Sequence, residues 1–215
     1  MPLASVKVVD LAAGMAGAVA VRILTDAGAE VLRFEAEGGD PFYGVYPAYR
    51  VWQRGKTIKP AQDATIAAAL AEADICVVGG EAHPDLSATR SAADLHKQYP
   101  GLVVLDLTGA PASFADDGFP AVEILAQARS GMAFEQHADK PFAFPLPIGS
   151  YGAALHGAIA ALAALWERPT TGKGELKVRG PDLDNVMSVY GSYHMAVVQK
   201  NAPIQSLADL AKQPY

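Results

Sequence analysis

At 215 residues the chain is long enough for one large domain with its own core, and 51% apolar against 19% charged residues excludes an intrinsically disordered chain. A formal net charge of −6 without any cluster of Lys and Arg excludes a broad basic face for nucleic acid or anionic membrane. A phosphate-bearing small ligand stays open, since a few local cations and helix N-termini serve it.

From the N-terminus, Met1-Pro2-Leu3-Ala4 leads straight into a strand pattern with no signal peptide, which predicts a cytoplasmic protein. Val6 to Leu11 reads as a strand, Ala12-Ala13-Gly14 as the turn after it, Ala16 to Ala27 as a helix and Glu30 to Glu35 as a second strand. That order is a βαβ unit, hence a parallel pair with a right-handed crossover. Gly38-Gly39-Asp40-Pro41 breaks the pattern, and an irregular stretch bearing Phe42, Tyr43, Tyr46, Tyr49 and Trp52 runs on to Pro60. The alternation then resumes: helix Asp63 to Glu72, strand Asp74 to Val78, helix Ser91 to Gln98, strand Leu102 to Leu107, helix Ala121 to Ser130. Cys76 is the chain's one cysteine; it excludes an internal disulfide and, in Ile75-Cys76-Val77-Val78, reads as a buried small hydrophobe.

A Pro-rich stretch from His137 to Pro147 delivers Gly149-Ser150-Tyr151-Gly152 to a helix whose apolar run, Ala153 to Trp166, is too short to span a bilayer and reads as buried. Thr171 to Gly174 is a tight turn and Glu175 to Arg179 one more strand. Pro181 opens a helix from Asp182 to about Lys200, apolar on the face of Val186, Val189, Tyr190, Tyr193 and Val197, and a short helix follows from Ser206 to Lys212. The pattern predicts an α/β fold: a Rossmann-like, doubly wound parallel sheet over residues 1–180, then a linking helix within a helical extension over 181–215.

Several groups invite chemistry. Gly14 and Gly17 follow the first strand, but they do not make G-x-G-x-x-G; they suit a turn and a close helix–sheet approach. Gln53-Arg54-Gly55-Lys56 sets two cations around a glycine, able to neutralise a phosphate or to sit in a solvated loop. Asp10, Asp74 and Asp106 stand in or at the ends of strands, placed for catalysis or for capping. No pair among the five histidines has metal-ligand spacing, no metal site is expected, and His156 reads as a core histidine of the apolar helix.

An ordered set of blocks then resembles the class III CoA-transferases, the family of formyl-CoA transferase, carnitine CoA-transferase and the alpha-methylacyl-CoA racemases. The blocks are Val8-Val9-Asp10-Leu11, Ala16-Gly17, Leu24 through Glu35, Gly38-Gly39-Asp40-Pro41, Arg54-Gly55-Lys56, Ala73-Asp74-Ile75, Thr108-Gly109, Ile124 through Met132, Ala163-Ala164-Leu165 and Thr171 through Gly174. They cover roughly residues 6 to 195.

The resemblance implies CoA carried on the large domain, with contacts at Met15 and Ala16, at Gln53, Arg54, Gly55 and Lys56, and at Thr108 and Gly109. It implies covalent catalysis by an aspartate, whose position falls on Ser150; the histidine of the racemases falls on Val122. Met15 stands where the family often has glutamine, and Val78 through Pro84 replaces its Glu-Asn-Phe-Arg-Pro-Gly stretch. The family continues through a smaller domain and forms interlocked dimers, so the chain corresponds to the large-domain half, joined by a second copy or by a partner chain. Three readings follow: a CoA-transferase subunit binding CoA or acyl-CoA, inactive alone; a binding or assembly module that kept only the fold; and a dinucleotide-dependent oxidoreductase.

Overall fold

The computed structural model describes residues 1–79, 91–107, 122–133, 140 and 142–171, with short strands at 176–177, 184–186 and 196–198. In chain order the elements are β1 (Lys7–Asp10), α1 (Gly14–Asp26), β2 (Glu30–Glu35), α2 (Phe42–Val45), α3 (Tyr49–Trp52), β3 (Thr57–Pro60), α4 (Asp63–Glu72), β4 (Ile75–Val78), α5 (Ala92–Gln98), β5 (Val103–Asp106), α6 (Glu123–Arg129), α7 (Ile148–Thr171) and β6 (Leu176–Lys177). Two further strands, β7 (Asp184–Val186) and β8 (Ala196–Val198), pair with each other.

The main sheet has the order β3-β2-β1-β4-β5-β6, and its pairs are parallel. This is the doubly wound order expected of strand–helix alternation. Period-two alternation divides the core. Val8, Ile75, Val77, Val103 and Leu105 face Ala20, Val21 and Leu24 of α1 and Ala154, Ala161 and Ala164 of α7. Val9, Cys76, Val78 and Val104 face Ile66 and Leu70 of α4 and Ala92 and Leu95 of α5. All four residues of β4 are buried, as a central strand covered on both faces requires. Cys76 is thus the buried hydrophobe its context predicts.

Small residues let the helices sit close. A Cβ added at Gly17 would overlap that of Ala12, and one at Gly157 would lie 2.9 Å from Leu107 and 3.2 Å from Leu105. Gly14 takes a positive φ of 82° in the turn after β1.

Three elements differ from the reading of the sequence. The stretch up to Pro60 is not irregular throughout: it holds two single-turn helices and the edge strand β3. Thr57–Pro60 is exposed along its whole length, so it carries no alternation, and Pro60 is tolerated because the strand lies at the edge. Helix α7 has 24 residues rather than the 14 of the apolar run, and Ile148–Pro169 meets the length and hydropathy of a membrane span, with 28% of its window buried. One of its faces packs on α1 and β5. Where a helix is expected from Asp182 to Lys200, β7 and β8 form an antiparallel pair. Val186, Val197 and Val198 are β-branched, and Gly191 interrupts the helical run. The expected helix Ser206 to Lys212 lies outside the described residues.

Candidate active site at the start of the long helix

The carboxyl ends of β1 and β2 hold a buried ionic cluster. Asp10, fully buried, accepts a hydrogen bond from the Ala12 amide at 3.1 Å through Oδ1, and Oδ2 accepts from Arg33 and Lys56, each at 3.0 Å. Arg33 also donates to Glu35 at 2.7 Å, to the Ala12 carbonyl at 2.8 Å and to Asp40 at 2.7 Å. Tyr49 closes the cluster by donating to Asp40. Burial opposes the charge on Asp10, but Lys56 and Arg33 more than offset it and hold the carboxyl below the usual carboxylate range. Burial draws the Lys56 ammonium below the usual lysine range, and the Arg33 charge adds to that against the pull of Asp10. Burial, with Asp40 beside it, pushes the Tyr49 phenol up.

Two of the residues around Gly55 are therefore internal. Lys56 has a buried side chain whose ammonium is held by Asp10 and, at 3.4 Å, by the Ala18 carbonyl. Gln53 is 5% exposed, and neither polar atom of its amide has a partner among the described residues. Arg54 is exposed, and its carbonyl accepts from Arg22. Gly55 takes a φ of 85°. Met15 and Ala16 are half-buried in the first turn of α1, about 10 Å along the helix from Arg22. That turn has no side-chain cap and no acidic residue. The segment thus brings Arg54 and Gly55 to the C-terminal half of α1, at Arg22 and Thr25, rather than to Met15 and Ala16. Thr108 and Gly109 lie outside the described residues.

Ser150 stands in the first turn of α7, half-buried. Its hydroxyl donates to Glu123 at 2.7 Å and its amide to the same oxygen at 2.8 Å; the Gly149 amide donates to the other oxygen at 2.9 Å. Gln127, one turn on from Glu123, donates to that second oxygen at 2.9 Å. Its amide also donates to the carbonyls of Phe144 and Leu146 and accepts from the Phe144 amide. Glu123 is thus the anion at the N-terminus of a long helix, and Gln127 stitches the Pro-rich stretch to α6. Glu123 directly follows Val122, the position of the racemase histidine, but its tie to Ser150 and the role of Gln127 inside Ala126-Gln127-Ala128 left no mark in periodicity or charge.

Tyr151 makes an edge contact with Trp52, ring centroids 5.9 Å apart, and Trp52 stacks on Tyr46 at 5.4 Å. Burial, with the Tyr46 phenol beside it, pushes the Tyr151 phenol up. The aromatic stretch therefore reaches the helix turn that carries Ser150. His156, half-buried, shares a 2.7 Å hydrogen bond with the Gly152 carbonyl through Nδ1. Asp74 accepts from the Lys7 amide at 2.9 Å and from Arg168 at 2.6 Å, pinning the end of α7 to the sheet. Among the described residues no group of three His, Cys, Asp or Glu is placed to hold a metal ion.

Comparison with known proteins completes this picture. The chain is 30% identical over 206 residues to the succinyl-CoA–L-malate CoA-transferase alpha subunit of Chloroflexus aurantiacus, a match covering 82% of the chain and 46% of that protein. It is 28% identical over 192 residues to the cinnamoyl-CoA:phenyllactate CoA-transferase of Clostridium sporogenes, covering 79% and 46%. The chain spans about half the length of the curated relatives it matches. Among solved structures it resembles the fold of the Mycobacterium tuberculosis protein Rv3272 (TM-score 0.72, 24% identity, 84% of the chain and 54% of that one) and of a CaiB/BaiF family protein from Brucella suis (TM-score 0.72, 24% identity, 82% and 52%). The model of CoA-transferase family III matches residues 3–215, nearly the whole sequence, and the chain belongs to that family.

Proposed function

We propose that this chain is a CoA-binding, large-domain half of a class III CoA-transferase that forms no acyl-enzyme by itself. The observation that carries the reading is Ser150 at the start of α7: a hydroxyl, hydrogen-bonded to Glu123 at 2.7 Å, stands where the family pattern puts its aspartate. An aspartate attacks the acyl-CoA thioester to give a mixed anhydride and CoA thiolate. The thiolate then attacks the enzyme carbonyl, releasing the acid and leaving an enzyme thioester. A serine yields only an oxygen ester, which a thiolate cleaves far less readily. Glu123 is a carboxylate in the right place, but its oxygens are spent on two amides, the Ser150 hydroxyl and Gln127.

CoA itself fits the carboxyl edge of the sheet, where the strand order reverses between β1 and β4 and α1 presents an uncapped first turn. Met15, Ala16 and Arg54, with Thr108 and Gly109, are the contacts this reading assigns. Lys56 acts from within, by fixing Asp10. A partner chain is part of this reading; the Chloroflexus aurantiacus relative is named as an alpha subunit. A module that binds without reacting is the second reading, favoured by the same Ser150–Glu123 contact.

The test is intact mass with hydroxylamine trapping. Wild type, Ser150→Asp and Glu123→Gln are each incubated with aliphatic and aromatic acyl-CoA donors. Wild type is expected to stay unmodified, and Ser150→Asp to form a hydroxylamine-sensitive adduct. A wild-type adduct would refute catalytic silence, and its loss in Glu123→Gln would make Glu123 the nucleophile.

A further inference from the structure

We propose that Trp52 and Tyr151, backed by Tyr46, form a stacking wall that selects a flat aromatic acyl group beside Ser150. The inference rests on the CoA-binding reading above and names the acid that the site takes. Tyr151 follows Ser150 in the first turn of α7, so its ring and the Ser150 hydroxyl belong to the same end of that helix. Trp52 meets Tyr151 edge-on at 5.9 Å and is stacked on Tyr46 at 5.4 Å. All three residues are half-buried, so each keeps part of its surface open.

The wall is anchored from behind. Tyr49 is fully buried, lies 6.2 Å edge-on from Trp52, and its hydroxyl is tied to Asp40 in the ionic cluster. Phe42 and Tyr43 close on Tyr49 at 5.5 and 5.3 Å. Such rings are set before a ligand arrives, so little conformational freedom is lost on stacking.

The chain has two tryptophans, and Trp166 is 85% exposed, far along α7. A Trp166→Phe background therefore makes Trp52 the only fluorophore of its kind. The experiment titrates that protein with CoA, butyryl-CoA, succinyl-CoA, 3-phenylpropionyl-CoA and free 3-phenylpropionate, reading Trp52 emission and calorimetric affinity. The same titrations are run on Trp52→Leu, read by calorimetry, and on Tyr151→Leu. The expected result is quenching of Trp52 by both phenyl ligands, with 3-phenylpropionyl-CoA bound about tenfold tighter than butyryl-CoA, a difference of about 1.4 kcal/mol. Either leucine variant should bring that ratio to about one while leaving the affinity for CoA itself unchanged. If CoA binds and the phenyl ester is held no tighter than the butyryl one, the wall does not select and this inference fails alone. If CoA does not bind but free 3-phenylpropionate still quenches Trp52, the aromatic site stands and the CoA reading falls. If neither binds, both fall.

Discussion

Asp10 carries two cations on one buried carboxylate, and its removal is the sharpest test at the level of a single side chain. Asp10→Ala leaves the buried Arg33 without one of its anions and Lys56 without its own. Breaking a buried pair from one side costs about 3–5 kcal/mol, far more than the intact pair adds over an apolar substitute. Urea unfolding of the variant should show a loss of that size; a loss under about 1 kcal/mol would mean that water or Glu35 takes over. The sign of the pH dependence follows from the depressed acidity of Asp10. The unfolded chain takes up this proton near pH 3.9 and the folded chain only below that. The stability from Asp10 is thus complete above about pH 3.9 and is lost as the pH falls through the folded value. Asp10→Ala should flatten this acid limb. Glu123→Ala tests the other anion: it strips the cap from the Gly149 and Ser150 amides and should cost about 1–2 kcal/mol. None of these partners was legible in the sequence beyond the bare choice between a catalytic and a capping carboxylate. Arg54-Gly55-Lys56 reads as two like cations, yet the turn at Gly55 sends one inward and leaves the other exposed.

Helix α7 links the scaffold to the site, and its glycines separate packing from propensity. Gly157 faces Leu105 and Leu107, so Gly157→Ala must push leucine methyl groups aside and should cost about 1–3 kcal/mol, nearer the lower figure because side-chain ends can shift. An added Cβ at Gly152 meets nothing within 4 Å, so Gly152→Ala should gain about 0.5–1 kcal/mol from the helix preference of alanine. Thermal unfolding of the two variants should therefore move in opposite directions, and equal shifts would contradict the packing described. The existence of this helix was legible from its apolar run, but its length was not. The added residues break the apolar run with glycines, Ser150, charged residues and Pro169, and they join because Glu123 caps one end and Asp74 holds Arg168 at the other. Helix-period spacing misled in the opposite sense at β7 and β8, where valines at helical intervals serve a strand pair equally well.

The whole molecule keeps the doubly wound sheet of its family, and most of that architecture could be read from strands and helices alternating in the chain. Continuous apolar runs marked β4 and β5 because both are covered on two faces; the exposed edge strand β3 had no such mark. Counting from the helix proposes a site at Ser150, but the contacts around that residue were not legible. Its tie to Glu123 and the approach of Trp52 to Tyr151 join segments 27 and 99 residues apart in the sequence. The proposed function makes two separate demands, that CoA binds and that no acyl-enzyme forms, and one measurement joins them. Calorimetric titration of the wild-type chain with CoA, run beside hydroxylamine trapping on the same sample with an acyl-CoA donor, should give saturable binding and no trapped acyl-enzyme. A trapped acyl-enzyme on wild type, or no binding of CoA at all, would contradict the account.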